Sequence, residues 1–293
     1  MRLTDLARKP RLGIPMSALR ACLTVLVLAA LTTAAGAQIR PLATEPAELI
    51  PRDTLRLEVG FEFFQEAEFP AAGLSGDLAR IGVLGLRYGA GERVELGIFW
   101  TARQFLNVDE RFPAPLTGNL DFSGNSTSDV GNLILATKLR VAREGARRPA
   151  LSFRFATELP NAATEKGIGV DETNFEAAVL AEKNWRSLRL VGNLGLAILG
   201  DPLSPGAQDD LLTYGLAALV TLNPDIRVVC DWHGRAGPGG IGTEEQSTIR
   251  TGLQVGSGSF VWDGAFVLGL RSTDPETGII VGLTYDFDLS PEP

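Results

Sequence analysis

The 293 residues are 45% apolar, 21% charged and 7% aromatic, too apolar a balance for a disordered chain and too long a chain for a disulfide-stapled mini-protein. Acids outnumber bases 35 to 27, and the formal net charge of −8 disfavours a nucleic-acid binder, while a single histidine leaves little for zinc or histidine-based catalysis. Of the two cysteines, Cys22 and Cys230, the first lies in a segment expected to be removed, so no intrachain disulfide is expected.

The N-terminus reads as an export signal. Arg2, Arg8, Lys9, Arg11 and Arg20 stand against one acid, Asp5, and Ala21 to Leu31 follows without a charge. The apolar run is short for a membrane-spanning helix. It also follows Cys22 rather than preceding it, which argues against lipid modification there. The small residues Ala35-Gly36-Ala37 offer a cleavage site, so residues 1–37 are the predicted signal peptide and the mature chain starts at Gln38. Cleavage removes five bases and one acid and takes the net charge from −8 to −12. Residues 38–53 are then a periplasmic N-terminal segment, too short for a globular plug domain.

From Thr54 onward, period two dominates. Leu55, Leu57, Val59, Phe61 and Phe63 fall on one face, with Arg56, Glu58, Gly60 and Glu62 on the other. Val94, Leu96, Ile98 and Trp100 oppose Glu95 and Gly97. Leu133, Leu135 and Leu139 oppose Lys138 and Arg140, and Phe153 and Phe155 oppose Arg154. Similar segments run near 174–182, 188–198, 226–233, 260–270 and 278–289, and less regular ones near 78–89, 210–222 and 246–256. That makes about twelve strands, each of the length that crosses a bilayer when tilted. Short connections near 89–92, 143–148, 183–187, 223–225 and 256–259 alternate with longer ones at 65–77, 107–127, 160–172, 200–209, 235–245 and 272–277.

This alternation fits hairpins with one end in each of two compartments. A soluble β-sandwich would share the period, but Trp100, Trp232, Trp262, Tyr285 and Phe287 sit towards strand ends on apolar faces, where aromatic girdles meet headgroups. The predicted fold is an all-β, antiparallel transmembrane β-barrel of outer-membrane type over 54–289, with a C-terminal tail at 290–293. In lipid an open sheet edge is untenable, so the last strand, 278–289, is expected to pair with the first. The apolar series Ile279, Val281, Leu283, Tyr285 and Phe287 resembles the C-terminal insertion signal of such barrels, so the expected partners are membrane lipid and the outer-membrane barrel assembly machinery.

The stretch Ser128-Asp129-Val130-Gly131-Asn132, then Lys138-Leu139-Arg140, a basic turn, a strand ending Glu158-Leu159-Pro160 and the loop Gly167-Ile168-Gly169 resembles the meta-pathway phenol-degradation (MetA-pathway) outer-membrane transporters. Family members usually follow the proline with Thr-Gly, where this chain has Asn161-Ala162. The resemblance covers about 128–200 and implies an outer-membrane channel or uptake barrel, sometimes linked to aromatic compounds.

Catalytic, metal and cofactor motifs fail. Gly237, Gly239 and Gly242 match a dinucleotide fingerprint, but loop and strand follow where a helix is needed. His233 shares a face with Asp231, yet no serine nucleophile can be placed beside it. Asp209-Asp210 and Glu244-Glu245 read as solvated loop charges. The chemistry left is that of the lumen, whose predicted lining is Arg56, Glu58, Glu62, Glu95, Lys138, Arg140, Arg154, Glu158, Glu176, Arg189, Arg227, Asp231, Arg250 and Asp263. With Arg87, Glu182 and Asp286 added, this interior carries nearly equal numbers of each sign, which passes small polar solutes with little preference or pairs up and fills the pore. The predicted function is a channel or porin-like uptake barrel for small solutes, hydrophobic or aromatic ones among them, with no cofactor. The alternative is a non-transport barrel, either structural or a surface lipid hydrolase using His233.

Overall fold

The computed structural model describes residues 40–290, so the predicted signal peptide and its cleavage site lie outside the described residues, as do the last three residues. The strands are β1 (Thr54–Phe69), β2 (Leu74–Gly89), β3 (Val94–Arg111), β4 (Ser126–Asp129), β5 (Leu133–Ala142), β6 (Ala150–Leu159), β7 (Asn174–Trp185), β8 (Leu188–Gly200), β9 (Gln208–Thr221), β10 (Ile226–Ala236), β11 (Gln246–Ser257), β12 (Phe260–Gly269) and β13 (Thr277–Asp288). The only helical pieces among the described residues are single 3₁₀ turns at Thr117–Asn119 and Thr164–Lys166.

Except for β4 and β5, each strand pairs antiparallel with its chain neighbour, and β13 returns to β1 in an unbroken ladder from Thr54↔Asp288 to Gln65↔Thr277. The sheet is therefore closed. Closure pairs the edge donors and acceptors that hydrocarbon would leave unsatisfied at several kcal/mol each. β4 and β5 both lie along β3 and together form one wall position, which makes a twelve-stranded barrel. Between them residues 130–132 leave the ladder, retaining a hydrogen bond from Gly131 N to Thr101 O (2.8 Å).

One predicted connection is corrected. The stretch 65–77 is not a long loop, because β1 and β2 both extend through it to a tight turn at 70–73. Polar residues there (Glu66, Glu68, Ser75, Asp77) masked the strand, which a bulge between Phe64 and Ala67 carries past the regular alternation.

The outward face is apolar throughout the wall: Val179, Leu194, Leu216, Phe155 and Phe266 are all more than half exposed. Surface of that kind would be an aggregation hazard in water and costs nothing in lipid. Trp185, Phe260, Trp262 and Phe287 stand on the outer face near the short-turn end, with the Tyr285 ring in contact with both Phe260 and Phe287. The chain is a membrane-spanning barrel of the outer-membrane type.

The packed interior has two parts. At the loop end, the β1–β2 hairpin meets the connections 112–125 and 160–173, joined by Leu116 N to Ala71 O (2.9 Å), Asp121 N to Glu165 O (3.1 Å) and the Lys166–Asp121 ion pair (2.6 Å). Beneath them Phe64, Leu74, Leu78, Leu106, Ile168, Val267 and Ile280 form an apolar cluster. At the short-turn end the filler is the segment before β1.

Candidate functional site

Residues 40–50 lie inside the barrel. Running backwards from β1, the segment follows the inner wall strand by strand. Ile50 N donates to the Glu95 carboxylate of β3 (2.9 Å), Glu48 N to Glu182 of β7 (3.1 Å), and the Ser152 hydroxyl of β6 to Ala47 O (2.6 Å). Asn193 of β8 closes a two-way contact, accepting from Glu45 N (2.6 Å) and donating to Glu45 O (2.7 Å). On β10, Asp231 accepts from Ala43 N (2.5 Å), Thr44 N (3.2 Å) and the Thr44 hydroxyl. Gln254 and Arg250 of β11 donate to Arg40 O (2.5 Å) and Pro41 O (3.1 Å), and Arg40 pairs with Asp263 of β12 (3.5 Å). We call 40–50 the strap.

The sequence placed residues 38–53 outside the barrel, and the strap corrects that placement for 40–50. The physical reason is complementarity. A non-strand segment cannot satisfy its backbone in a closed ladder, but inward carboxylates and amides of the wall supply the missing partners. Its apolar side chains fit as well: Leu42 packs with Val191, Ala217, Leu219 and Val229, and Ala47 with Ala150, Ala178 and Leu180. Close approach depends on glycine at Gly215, where a Cβ would stand 2.5 Å from the Thr44 hydroxyl oxygen, and at the cross-strand pair Gly60 and Gly282, where it would overlap the Arg40 guanidinium.

The strap's main charged anchor is Glu45. It pairs with Arg87 (2.8 Å) and Lys138 (2.8 Å), both also in contact with Glu95 (3.2 and 3.1 Å), and Arg87 reaches Glu58 as well (3.4 Å). Burial by itself would raise the Glu45 carboxyl, but Arg87, Lys138 and the more distant Arg154 outweigh it and hold the group well below the usual carboxylate range. Arg87 also stacks over Phe99, 4.5 Å from the ring centre.

The remaining predicted lining residues are mostly paired along the wall: Arg56 with Asp286 (2.6 Å), Glu62 with Arg80 (3.3 Å), Arg154 with Glu176 (2.9 Å), Arg189 with Glu182 (2.6 Å) and Arg140 with Glu48 of the strap (3.6 Å). Glu158 accepts from Asn132 (2.8 Å) and Asn174 (3.1 Å), and Arg227 donates to Gln254 (3.1 Å). The strap acids Glu45 and Glu48 are consumed by inward bases.

Above the strap, towards the loops, remains a cavity of about 500 Å³. Its floor is Ala43 and Thr44. One wall is apolar, with Phe64, Leu78 and Val267 below Phe69; the others carry Arg80, Arg154, Glu158, Glu176, His233, Arg235, Thr248 and Arg250. The cationic lining residues Arg80 and Arg235 were not assigned from sequence, since Arg80 falls in a segment read as irregular and Arg235 in one read as a connection.

Among the described residues no serine is hydrogen-bonded to His233. Its Nε2 lies 3.0 Å from the Thr248 hydroxyl, and Asp231 stands 3.7 Å from Nδ1, beyond hydrogen-bond reach and saturated by the strap. Nucleophile, base and orienting acid are thus not assembled. The glycine run at 237–242 is loop between two strands, with Gly237 and Gly242 at positive φ. Asp209 accepts from Gly240 N (2.9 Å) and from the Thr243 hydroxyl, while Glu244 and Glu245 accept from Gly242 N (2.7 Å) and Gly237 N (3.1 Å), so the paired loop acids brace that same loop.

No family model matches the chain, and no curated protein matches it. Among solved structures, the COG4313 outer membrane channel from Pseudomonas putida F1 superposes with a TM-score of 0.61 at 15% identity, covering 82% of this chain and 98% of that one. The chain shares the architecture of an outer-membrane β-barrel. The translocator domain of the autotransporter NalP from Neisseria meningitidis (12% identity, 81% and 90% covered) and the KdgM porin (9%, 80% and 99%) both give TM-scores of 0.47, likenesses too loose to bear on detail. Identity this low establishes the fold and nothing of the activity.

Proposed function

We propose that the chain is an outer-membrane channel for small solutes, with its loop-side vestibule open to ligand and its periplasmic half held shut by the strap. The observation that carries this reading is the nature of the plug. The wall closes by a complete strand ladder that excludes the strap, and the strap is held by side-chain contacts that can be broken without opening the barrel. A vestibule of about 500 Å³ is within the range of small-molecule sites, and its apolar wall suits solutes with a hydrophobic or aromatic body. The motif resemblance at 128–169 to the meta-pathway transporters points the same way. The barrel supplies shape and field rather than reaction chemistry.

The test is solute flux into proteoliposomes and single-channel recording on the mature chain and on a form lacking residues 38–50. The shortened form is expected to conduct continuously, and the mature chain to show low or intermittent conductance. No conductance from either, with folding verified by heat-modifiable gel mobility, would refute the channel reading and leave a structural barrel.

A further inference from the structure

Resting on the channel reading and naming its ligand class, we propose that the vestibule binds a small organic carboxylate with an apolar body, its carboxylate on Arg235 and Arg250 and its body against Phe64, Leu78 and Val267. The inference starts from how arginines are used in this lumen. Arg56, Arg80, Arg87, Arg154 and Arg189 each stand within 4 Å of a carboxylate. Arg235 and Arg250 line the vestibule and have no carboxylate that close among the described residues. Arg235 Nε donates to a carbonyl, Glu244 O (2.8 Å), and Arg250 Nη1 to Pro41 O (3.1 Å), while Arg250 Nε is buried without any partner.

The strand register explains why Arg250 lacks its natural partner. Asp231 lies directly opposite it on β10, but the strap takes both oxygens of that carboxylate through Ala43 and Thr44. Moving along the same two strands towards the loops, the inward residues are His233 opposite Thr248 and then Arg235 opposite Gln246. This face therefore offers two guanidinium groups flanking a hydroxyl and an imidazole, all donors or adaptable groups suited to a carboxylate. The vestibule's other acids are already engaged. Glu176 is paired with Arg154, Glu158 accepts from two asparagines, and Asp274 accepts from the backbone N–H groups of Ser247, Leu270 and Arg271. Glu68 lies on the hairpin side of the vestibule, with β1.

The apolar requirement comes from the adjoining wall. β12, β13 and β1 continue the barrel from β11, and their inward residues Val267, Ile280 and Phe64, with Leu78 of β2, belong to the apolar cluster under the loops. A ligand lying across this boundary places its charge on one side and its hydrocarbon on the other. A purely apolar ligand would leave the two guanidiniums without a direct ion-pair partner, and a cation would face them directly.

The experiment is calorimetric titration of the purified full mature chain with benzoate, benzyl alcohol, benzylammonium and acetate. Benzoate is expected to bind at least about tenfold more tightly than each of the others. Arg235→Gln and Arg250→Gln, checked for folding by heat-modifiable mobility, should remove that preference, and Phe64→Ala should weaken benzoate while leaving acetate unchanged. Equal binding of benzoate, benzyl alcohol and benzylammonium would overturn the proposal, as would benzoate binding that survives both arginine substitutions in folded protein. Solute flux on the same samples separates the two claims: flux without the carboxylate preference defeats this inference alone, and binding without flux in either the mature or the strap-deleted form defeats the channel reading alone.

Discussion

Glu45 illustrates how one residue outside any strand governs the interior. Its side chain is about nine-tenths buried between Arg87 and Lys138, themselves nearly fully buried, and such clusters are justified by mutual satisfaction rather than by large net stability. Glu45→Gln should cost the docked strap roughly 3 to 5 kcal/mol, because two buried cations lose a shared partner. Limited proteolysis should then cleave within 40–50 while the barrel keeps its heat-modifiable mobility. The pH dependence follows from the depressed carboxyl. Its stabilisation is fully present above the ordinary carboxylate value of about 4.3 and is lost as pH falls towards the lower folded value. Strap protection should therefore persist from neutral pH to about 5 and fail only in stronger acid. On the wall, Phe155 is half exposed on the lipid face and Arg154 points inward to Glu176. Phe155→Arg should cost roughly 2 to 4 kcal/mol near the midplane. Arg154→Ala, removing a pair whose acid is 39% exposed, should cost about 1 kcal/mol or less. Urea unfolding in lipid vesicles checks the ranking.

Among the elements, the strands and the strap obey different rules. A strand is specified by its own alternation, and β6, β8 and β13 follow the sequence pattern closely because lipid on one side and a polar interior on the other enforce period two. β1 and β2 outrun it, since their ends rise past the hydrocarbon and no longer need an apolar outer face. The strap has no period to read. Its signature lies elsewhere, in Val191, Leu219, Val229 and Leu180, apolar residues on faces that should be wet in an open pore. Inward apolar patches and inward glycines together mark where something packs. Gly215→Val should accordingly push Thr44 off Asp231 and render the strap protease-sensitive, whereas Gly192→Ala, whose added Cβ meets nothing nearer than 3.9 Å, should leave it protected.

For the whole molecule, ladder closure and lumen filling are separable. Every wall strand except the short β4, which pairs with β3 alone, has at least two hydrogen-bonded neighbours without any help from the strap, so a chain lacking 38–50 is expected to form the barrel in detergent. It should melt at a lower temperature than the mature chain, because Leu42 and Ala47 no longer cover the inner apolar residues and Glu45 no longer joins Arg87 to Lys138. Thermal scanning of the two forms, with heat-modifiable mobility as the folding check, measures the difference. Loss of the barrel itself on deletion would mean that the strap is part of the core.

The sequence by itself determined the barrel: strand number, the pairing of the last strand with the first, and the side on which each charge falls. These follow from local alternation and from one global condition, that no backbone group be left open in lipid. It did not reveal the strap, or that Asp231 is spent on Thr44 while Arg250 is left without an acid. Those depend on which inward polar side chains of nine different strands converge on one irregular segment, and no spacing along the chain encodes a meeting between Glu45 and Lys138 across 93 positions. Tertiary structure alone decided how a lumen of nearly balanced charge divides into a plugged half and a vestibule.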